Sequence, residues 1–367
     1  MSAWDKTRKS LKTLQAITRS ATFDLFHRSP DSPLMLFVEL TRRCNSRCRH
    51  CDIWMGDKGE EVSASVLVKT FSDLARKGLV AVDLFGGEPL MRKDLPHILA
   101  GIKASGLHAT ITTNGTLLTR DKCKELAGLG LDQLIVSIDG PTASLHDWVR
   151  GTEGSFKRAT AGLQAMNDVA GETVRLGINT LVCRQNLGFL PEMTDLAGQV
   201  GATQIRLLPY HQCYPFNQHK QEDDMLPRQQ DLRLLQRSLR EFSRRCKQAK
   251  IATNSKSYLD GIVGWYGGKP ARVRCMAGIG VCDINAFGDV FPCYTHASSV
   301  GSIREQPFEQ IWQSATMEER RTESKGCKGC WQSCYVEPGL RLSPRAALRD
   351  WPMVLHDLAE YFLSKSS

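Results

Sequence analysis

The chain has 367 residues with a formal net charge of +9, 41% hydrophobic and 24% charged. That composition excludes wholesale disorder and is ample for one large domain plus a smaller one. No apolar run approaches the length of a membrane span and no secretory apolar core opens the chain, so a cytoplasmic location is expected.

Residues 1–34 read as a basic helical segment, with Trp4, Leu11, Leu14, Ile17 and Ala21 on one face and Lys6, Lys9 and Lys12 opposite. The turn-forming run Ser29-Pro30-Asp31-Ser32-Pro33 ends it. The positive charge comes without a recognisable nucleic-acid module, so no nucleic-acid partner is expected. An acidic substrate or weak contact with an anionic membrane surface stays open.

Strand–helix alternation begins at residue 35. Short apolar runs at Leu36–Leu40, Ala81–Phe85, His108–Thr112, Gln133–Ile138, Val174–Val182 and Gln204–Leu208 predict strands. Between them, Val66–Arg76, Leu95–Lys103, Lys122–Leu126, Phe156–Asn167 and Leu190–Gln199 predict helices. Six such units predict an α/β fold with a parallel sheet, and six fall short of the eight that close a barrel. Residues 35–215 are therefore expected to form a partial (β/α)6 TIM-like barrel. Residues 216–269 read as a helical bridge, with a long exposed helix from about 228 to 249. Residues 270–340 read as a small cysteine-rich α+β extension, turning at Phe287-Gly288-Asp289. Residues 341–367 predict a last helix, capped by Asp350, with Leu355, Leu358 and Phe362 on one side.

Thirteen cysteines are many for a cytosolic chain, and there clustered cysteines read as metal ligands or redox groups. Cys123, Cys183, Cys213 and Cys246 stand singly and read as buried hydrophobes. Cys44, Cys48 and Cys51 lie directly after the first strand, at the end where barrel folds place active sites. Chance yields this spacing in only on the order of 1–2% of chains with this cysteine content. Thiolates select iron–sulfur clusters or zinc. Structural zinc normally takes four closed ligands, whereas three cysteines leave one iron of a cubane open to a substrate or cofactor.

The spacing C-x3-C-x2-C after the first strand resembles the radical S-adenosylmethionine (SAM) superfamily. Four further segments agree, the first three beyond successive strands and the fourth close after the third. They are Gly86-Gly87-Glu88-Pro89, Thr113-Asn114-Gly115, Ser137-Ile138-Asp139-Gly140, and His146-Asp147-Trp148-Val149-Arg150-Gly151 with Gly154-Ser155-Phe156. The resemblance covers about residues 35–210. It implies that Cys44, Cys48 and Cys51 bind a 4Fe–4S cluster whose fourth iron is chelated by SAM. It implies that the Gly86–Pro89 turn meets the SAM amino group, with Glu88 as anionic acceptor. Ser137 and Arg150 would contact its ribose and carboxylate, Asn114 would belong to the same site, and His50 would contact the adenine side. Asp139 reads as a loop brace, and Asn179 and Arg206, at later strand ends, are weaker candidates. The implied activity is reductive cleavage of SAM and hydrogen abstraction from a substrate C–H bond, with an electron donor such as flavodoxin or ferredoxin.

The C-terminal cysteines resemble the SPASM or twitch extension of the same superfamily. Cys275 and Gly288-Asp-Val-Phe-Pro-Cys293 give C-x12-G-x4-C, and Cys327, Cys330 and Cys334 give C-x2-C-x3-C. Six cysteines, with Cys282, are too few for two full clusters, so one auxiliary 4Fe–4S cluster is expected. Cys275, Cys293 and Cys330 lead the ligand set; Cys327 and Cys334 compete for the fourth place, and Cys282 ranks last. In sulfatase-maturing relatives an acidic residue follows the auxiliary cysteine, whereas Tyr294 stands here. Tyr210, His211 and Tyr294 are candidates to line a substrate pocket. The substrate is expected to be a peptide or a small molecule, sugar or lipid intermediate. With only 43 residues before Cys44, a peptide would need separate recognition. The alternative is an iron–sulfur binding or sensor protein without turnover.

Overall fold

The computed structural model describes residues 30–211, 223–269, 273–295, 298–327 and 329–342. The expected helices at the two termini, and Cys213, lie outside the described residues.

Six parallel strands form as the apolar runs predict: β1 (Met35–Glu39), β2 (Ala81–Phe85), β3 (His108–Thr113), β4 (Gln133–Ser137), β5 (Arg175–Val182) and β6 (Gln204–Pro209). They lie in chain order across the sheet, with helices between them. These are α1 (Ala64–Ala75), α2 (Leu95–Ala104), α3 (Arg120–Gly128), α4 (Ala143–Arg150), α5 (Ser155–Ala170) and α6 (Met193–Val200). Ser63 caps α1 by accepting from the Val66 amide, and Thr119 caps α3 by accepting from that of Lys122. The helix expected over Leu190–Gln199 spans Met193–Val200, and a 3-10 turn at Arg184–Phe189 precedes it.

Each strand alternates. Leu36, Val38, Val82, Leu84, Ala109, Ile111, Leu134 and Val136 pack outward into the main core, against Leu67, Phe71, Ile98 and Leu163 of the helices. The residues between them face the other way, into the lumen of an open, partial barrel.

Both edges of the six-stranded unit are covered. At β6, the Ile205 amide donates to the Ala252 carbonyl (2.9 Å) and that of Leu207 to Asn254 Oδ1 (2.7 Å). The bridge thus runs along this edge and carries two helices, α7 (Leu232–Ala249) and α8 (Lys256–Tyr266). At β1, the extension adds β7 (Val281–Ile284) in parallel, with Phe37 opposite Asp283. Two short antiparallel strands, β8 (Asp289–Phe291) and β9 (Gly301–Ser302), complete a nine-stranded sheet. The turn at 287–289 forms as expected. Gly288 adopts φ +93°, and Asn285 Oδ1 accepts the amides of Phe287 and Asp289. The extension ends with α9 (Phe308–Trp312), α10 (Ala315–Gly326) and α11 (Ser333–Leu342). Among the described residues, no helix is long and apolar enough to cross a membrane.

Candidate active site

The loop after β1 carries Cys44, Cys48 and Cys51 and is wedged between two neighbours. On one side the amides of Gly87 and Glu88 donate to the carbonyls of Thr41 (2.7 Å) and Arg43 (2.8 Å). Only glycine fits here, because a Cβ on Gly87 would lie 2.3 Å from the Arg43 oxygen. On the other side the Arg49 amide donates to the Val149 carbonyl (2.9 Å). Gly151 closes α4 at φ +57°, where a Cβ would lie 2.1 Å from the Arg47 oxygen.

Held this way, the three thiols gather. Burial first, and the neighbouring Cys48 as well, push the Cys44 thiol up to about 11. Burial likewise raises Cys48 and Cys51. Cys48 is opposed by Arg150, whose Nη1 donates toward its Sγ at 3.9 Å. Such thiols resist ionisation until something takes the sulfur as a ligand. Among the described residues no three or more Cys, His, Asp or Glu converge on a point that one metal ion could occupy. Thiols spaced around a shared volume suit a cluster whose irons sit at separate corners.

Arg150 is the pivot. Its Nε lies 2.6 Å from Asp139 Oδ2, and Asp139 is fully buried. Burial disfavours the Asp139 anion, but Arg150, then His50 and His146, outweigh it and hold its pKa below the ordinary value. Asp139 Oδ1 also accepts from the Leu181 amide (2.8 Å), so this residue does brace the loop to β5. Half-buried His50 lies close enough to act on Asp139.

Glu88 Oε1 accepts from Thr113 Oγ1 (2.7 Å) and the Leu90 amide (3.0 Å), and its Oε2 from the Asn114 amide (2.8 Å). With no exposed surface, the carboxylate ties two loops together. The carbonyls of Gly86 and Gly87, by contrast, accept no hydrogen bond among the described residues. Pro89 is buried at the start of a 3-10 turn. Asn114 Nδ2 donates to Asn45 Oδ1 (2.8 Å) and Ser46 Oγ (3.2 Å), which pins the cysteine loop from a third strand. Ser137 ends β4, half-buried, in register with Asn179.

The C-terminal cysteines divide. Cys275, Cys293, Cys330 and Cys334 pack around Met276, Ile279, Val281 and Tyr335, with Phe37 of β1 at the boundary. Burial raises Cys275 to about 12, with Cys330, Cys293 and Cys327 adding to it. Cys334 rises through burial, Asp283 and the other thiols. Cys327 is exposed. Cys282 is not brought into the set. It faces the main core from β7 and its Sγ donates to the Phe291 carbonyl (3.1 Å).

Between the two sets stands Tyr294. It packs with Ile53, Cys44, Cys51 and Phe85, its amide donates to Tyr335 Oη (2.9 Å), and its hydroxyl donates to Glu39 Oε2 (3.0 Å). Sequence reasoning missed Glu39, although an acid ending an apolar strand was a signal. Tyr210 and His211 do not line an open pocket with it. Tyr210 is buried beside Val149, Cys183 and Met225, and the His211 ring lies tilted against Trp265 with centroids 4.1 Å apart.

Residues 38–187 match the model of the Radical SAM superfamily, and residues 275–332 match that of the SPASM iron–sulfur cluster-binding domain. An AdoMet-dependent heme synthase of Methanosarcina barkeri is 32% identical over 346 residues, covering 88% of this chain and 95% of that protein. The same organism's Fe-coproporphyrin III synthase is 29% identical over 78% of this chain and 75% of that protein. The PqqA peptide cyclase of Rhizobium meliloti is 27% identical over 76% and 73%. The structure of Streptococcus suis SuiB with its precursor peptide SuiA superposes with a TM-score of 0.65 at 17% identity, covering 82% of this chain and 69% of that one. That likeness speaks to fold alone.

Proposed function

Because the chain belongs to the radical SAM superfamily and carries its SPASM extension, we propose that it acts on a tetrapyrrole, a macrocycle bearing carboxylate side chains. The observation carrying this reading is the similarity to a heme synthase along nearly the whole of that protein, through both cysteine segments. The net charge of +9 fits an acidic substrate. The chain is an enzyme of the maturase and synthase type, and the sensor reading gives way to it.

When bound, the cluster and SAM supply a 5′-deoxyadenosyl radical that takes a hydrogen atom from a substrate C–H bond. The residues divide the remaining work. Cys44, Cys48 and Cys51 would ligate the cluster, and Arg150 sets a fixed positive charge beside Cys48. The free carbonyls of Gly86 and Gly87 would receive the SAM ammonium, with Ser137 at the ribose and His50 at the adenine side. Glu88 and Asn114 hold the loops that present these groups. Cys275, Cys293, Cys330 and Cys334 would hold one auxiliary 4Fe–4S cluster. A flavodoxin or ferredoxin is the proposed electron donor.

The test is anaerobic reconstitution with reductant, SAM and iron coproporphyrin III. The reading expects 5′-deoxyadenosine to form in step with loss of the macrocycle, and Cys48→Ala to abolish both. Turnover of a peptide with no response to the macrocycle would favour the second reading, which the PqqA peptide cyclase relative supports.

A further inference from the structure

A closed barrel fills its interior with branched apolar side chains. Here the lumen is polar at mid-height. Asp83, Thr112, Asn179 and Arg206 occupy alternate positions between Val82, Leu84, Ile111, Ile178, Ile205 and Leu207, all of which face the helices. The lumen face is fixed independently one pleat below, where Gln133 Nε2 donates to Gln204 Oε1 (2.6 Å). Thr112 Oγ1 donates to Asp83 Oδ1 (3.1 Å).

Arg206 acts on Asp83 although β6 and β2 are separated by β5, β4 and β3. In a flat sheet those strands would lie roughly 19 Å apart, at about 4.8 Å per spacing. The two side chains therefore face each other across the lumen. Arg206, Asn179 and Thr112 are each only half-buried, so each keeps some surface unpacked. Asn179 stands in register between Ser137 and Arg206, and its Oδ1 is enclosed with no hydrogen-bond partner among the described residues. An enclosed acceptor beside a charged donor is a built polar surface waiting for a ligand.

Resting on the substrate reading above, we propose that Arg206 anchors a substrate carboxylate in the barrel lumen. Asp83 faces the guanidinium from the opposite wall, and Asn179 Oδ1 accepts from a substrate N–H or O–H. The anchor lies two strands from Ser137, at the same height, beside the position assigned to the SAM ribose. Guanidinium suits a carboxylate because its planar fork can donate two parallel hydrogen bonds.

The experiment titrates the reconstituted holoenzyme with iron coproporphyrin III and with its tetramethyl ester, followed by visible absorbance. Wild-type protein is expected to prefer the acid by about tenfold or more, the scale of one charge-assisted contact. Arg206→Ala is expected to lose that discrimination, and Arg206→Lys to keep part of it. Discrimination is a ratio within one protein, so a partial folding defect does not imitate its loss. Wild-type protein that binds the acid, with Arg206→Ala discriminating equally well, overturns the anchor alone. Wild-type protein that binds neither form overturns the substrate class and the anchor together. A loss in Arg206→Ala confined to SAM affinity moves Arg206 to the cofactor site and overturns the proposal.

Discussion

Arg150 sits between a carboxylate and a thiol, and it gives the clearest single-residue expectations. Asp139→Asn removes the partner of a buried cation, a change worth about 3–5 kcal/mol of stability when a buried pair is broken. Urea unfolding of the two proteins measures it. His146 adds a pH test. Burial first, then Arg150, lowers its pKa to about 4, and its neutral Nδ1 accepts the Asp139 amide (3.1 Å). A depressed histidine contributes stability that is fully present above the unfolded pKa near 6.5 and is lost as pH falls toward 4. Buried carboxylates such as Asp83, raised to about 7 by burial against the pull of Arg206 and Thr112, run the opposite way. The informative quantity is therefore wild-type stability minus that of His146→Asn. It should shrink by up to about 1.4 kcal/mol per pH unit between 6.5 and 4. In the extension, Cys282→Ala should leave about eight irons per chain, whereas Cys334→Ala should leave about four, at four per cubane. Iron analysis of reconstituted protein decides between them. The cysteine spacing was legible in the sequence because ligand chemistry restricts residue type. The bracing bonds of Glu88 were not legible, since what a carboxylate accepts depends on which amides the fold delivers to it.

At the scale of elements, the cysteine loop takes its shape from glycines on its neighbours. Gly151→Ala places a Cβ 2.1 Å from the Arg47 oxygen in a left-handed conformation, so the loop must move. Iron content is expected to fall by about four per chain, with the auxiliary set retained. The six parallel strands were readable as short runs with apolar residues at alternate positions, because one face packs into the helix-covered core. Helix α4 was not among the elements read from the sequence, where its residues were taken up by the His146–Gly151 motif. The pairing of β7 with β1 was also hidden. Nothing in a four-residue strand announces which edge it will join.

For the whole molecule, that pairing makes the barrel and the extension one sheet. Trp331 ties the extension to the bridge helix α8 as well. Its Nε1 donates to the Tyr258 carbonyl (2.9 Å), and a Cβ on Gly261 would fall 1.8 Å from its ring. Truncation after residue 269 would bare the β1 edge and the outer face of Phe37. The truncated chain is expected to aggregate rather than behave as a free-standing barrel, as size-exclusion chromatography would register. Calorimetry of the intact chain is expected to give one transition rather than two. A step of one residue from Cys293 to Tyr294 takes the backbone from one cysteine set to the wall of the other. Assembly therefore has a direction. An empty extension leaves that wall without its tether, whereas an empty first site leaves the tether intact. Iron delivered slowly should accumulate in the extension first, and oxygen damage there should spread to the radical-generating end.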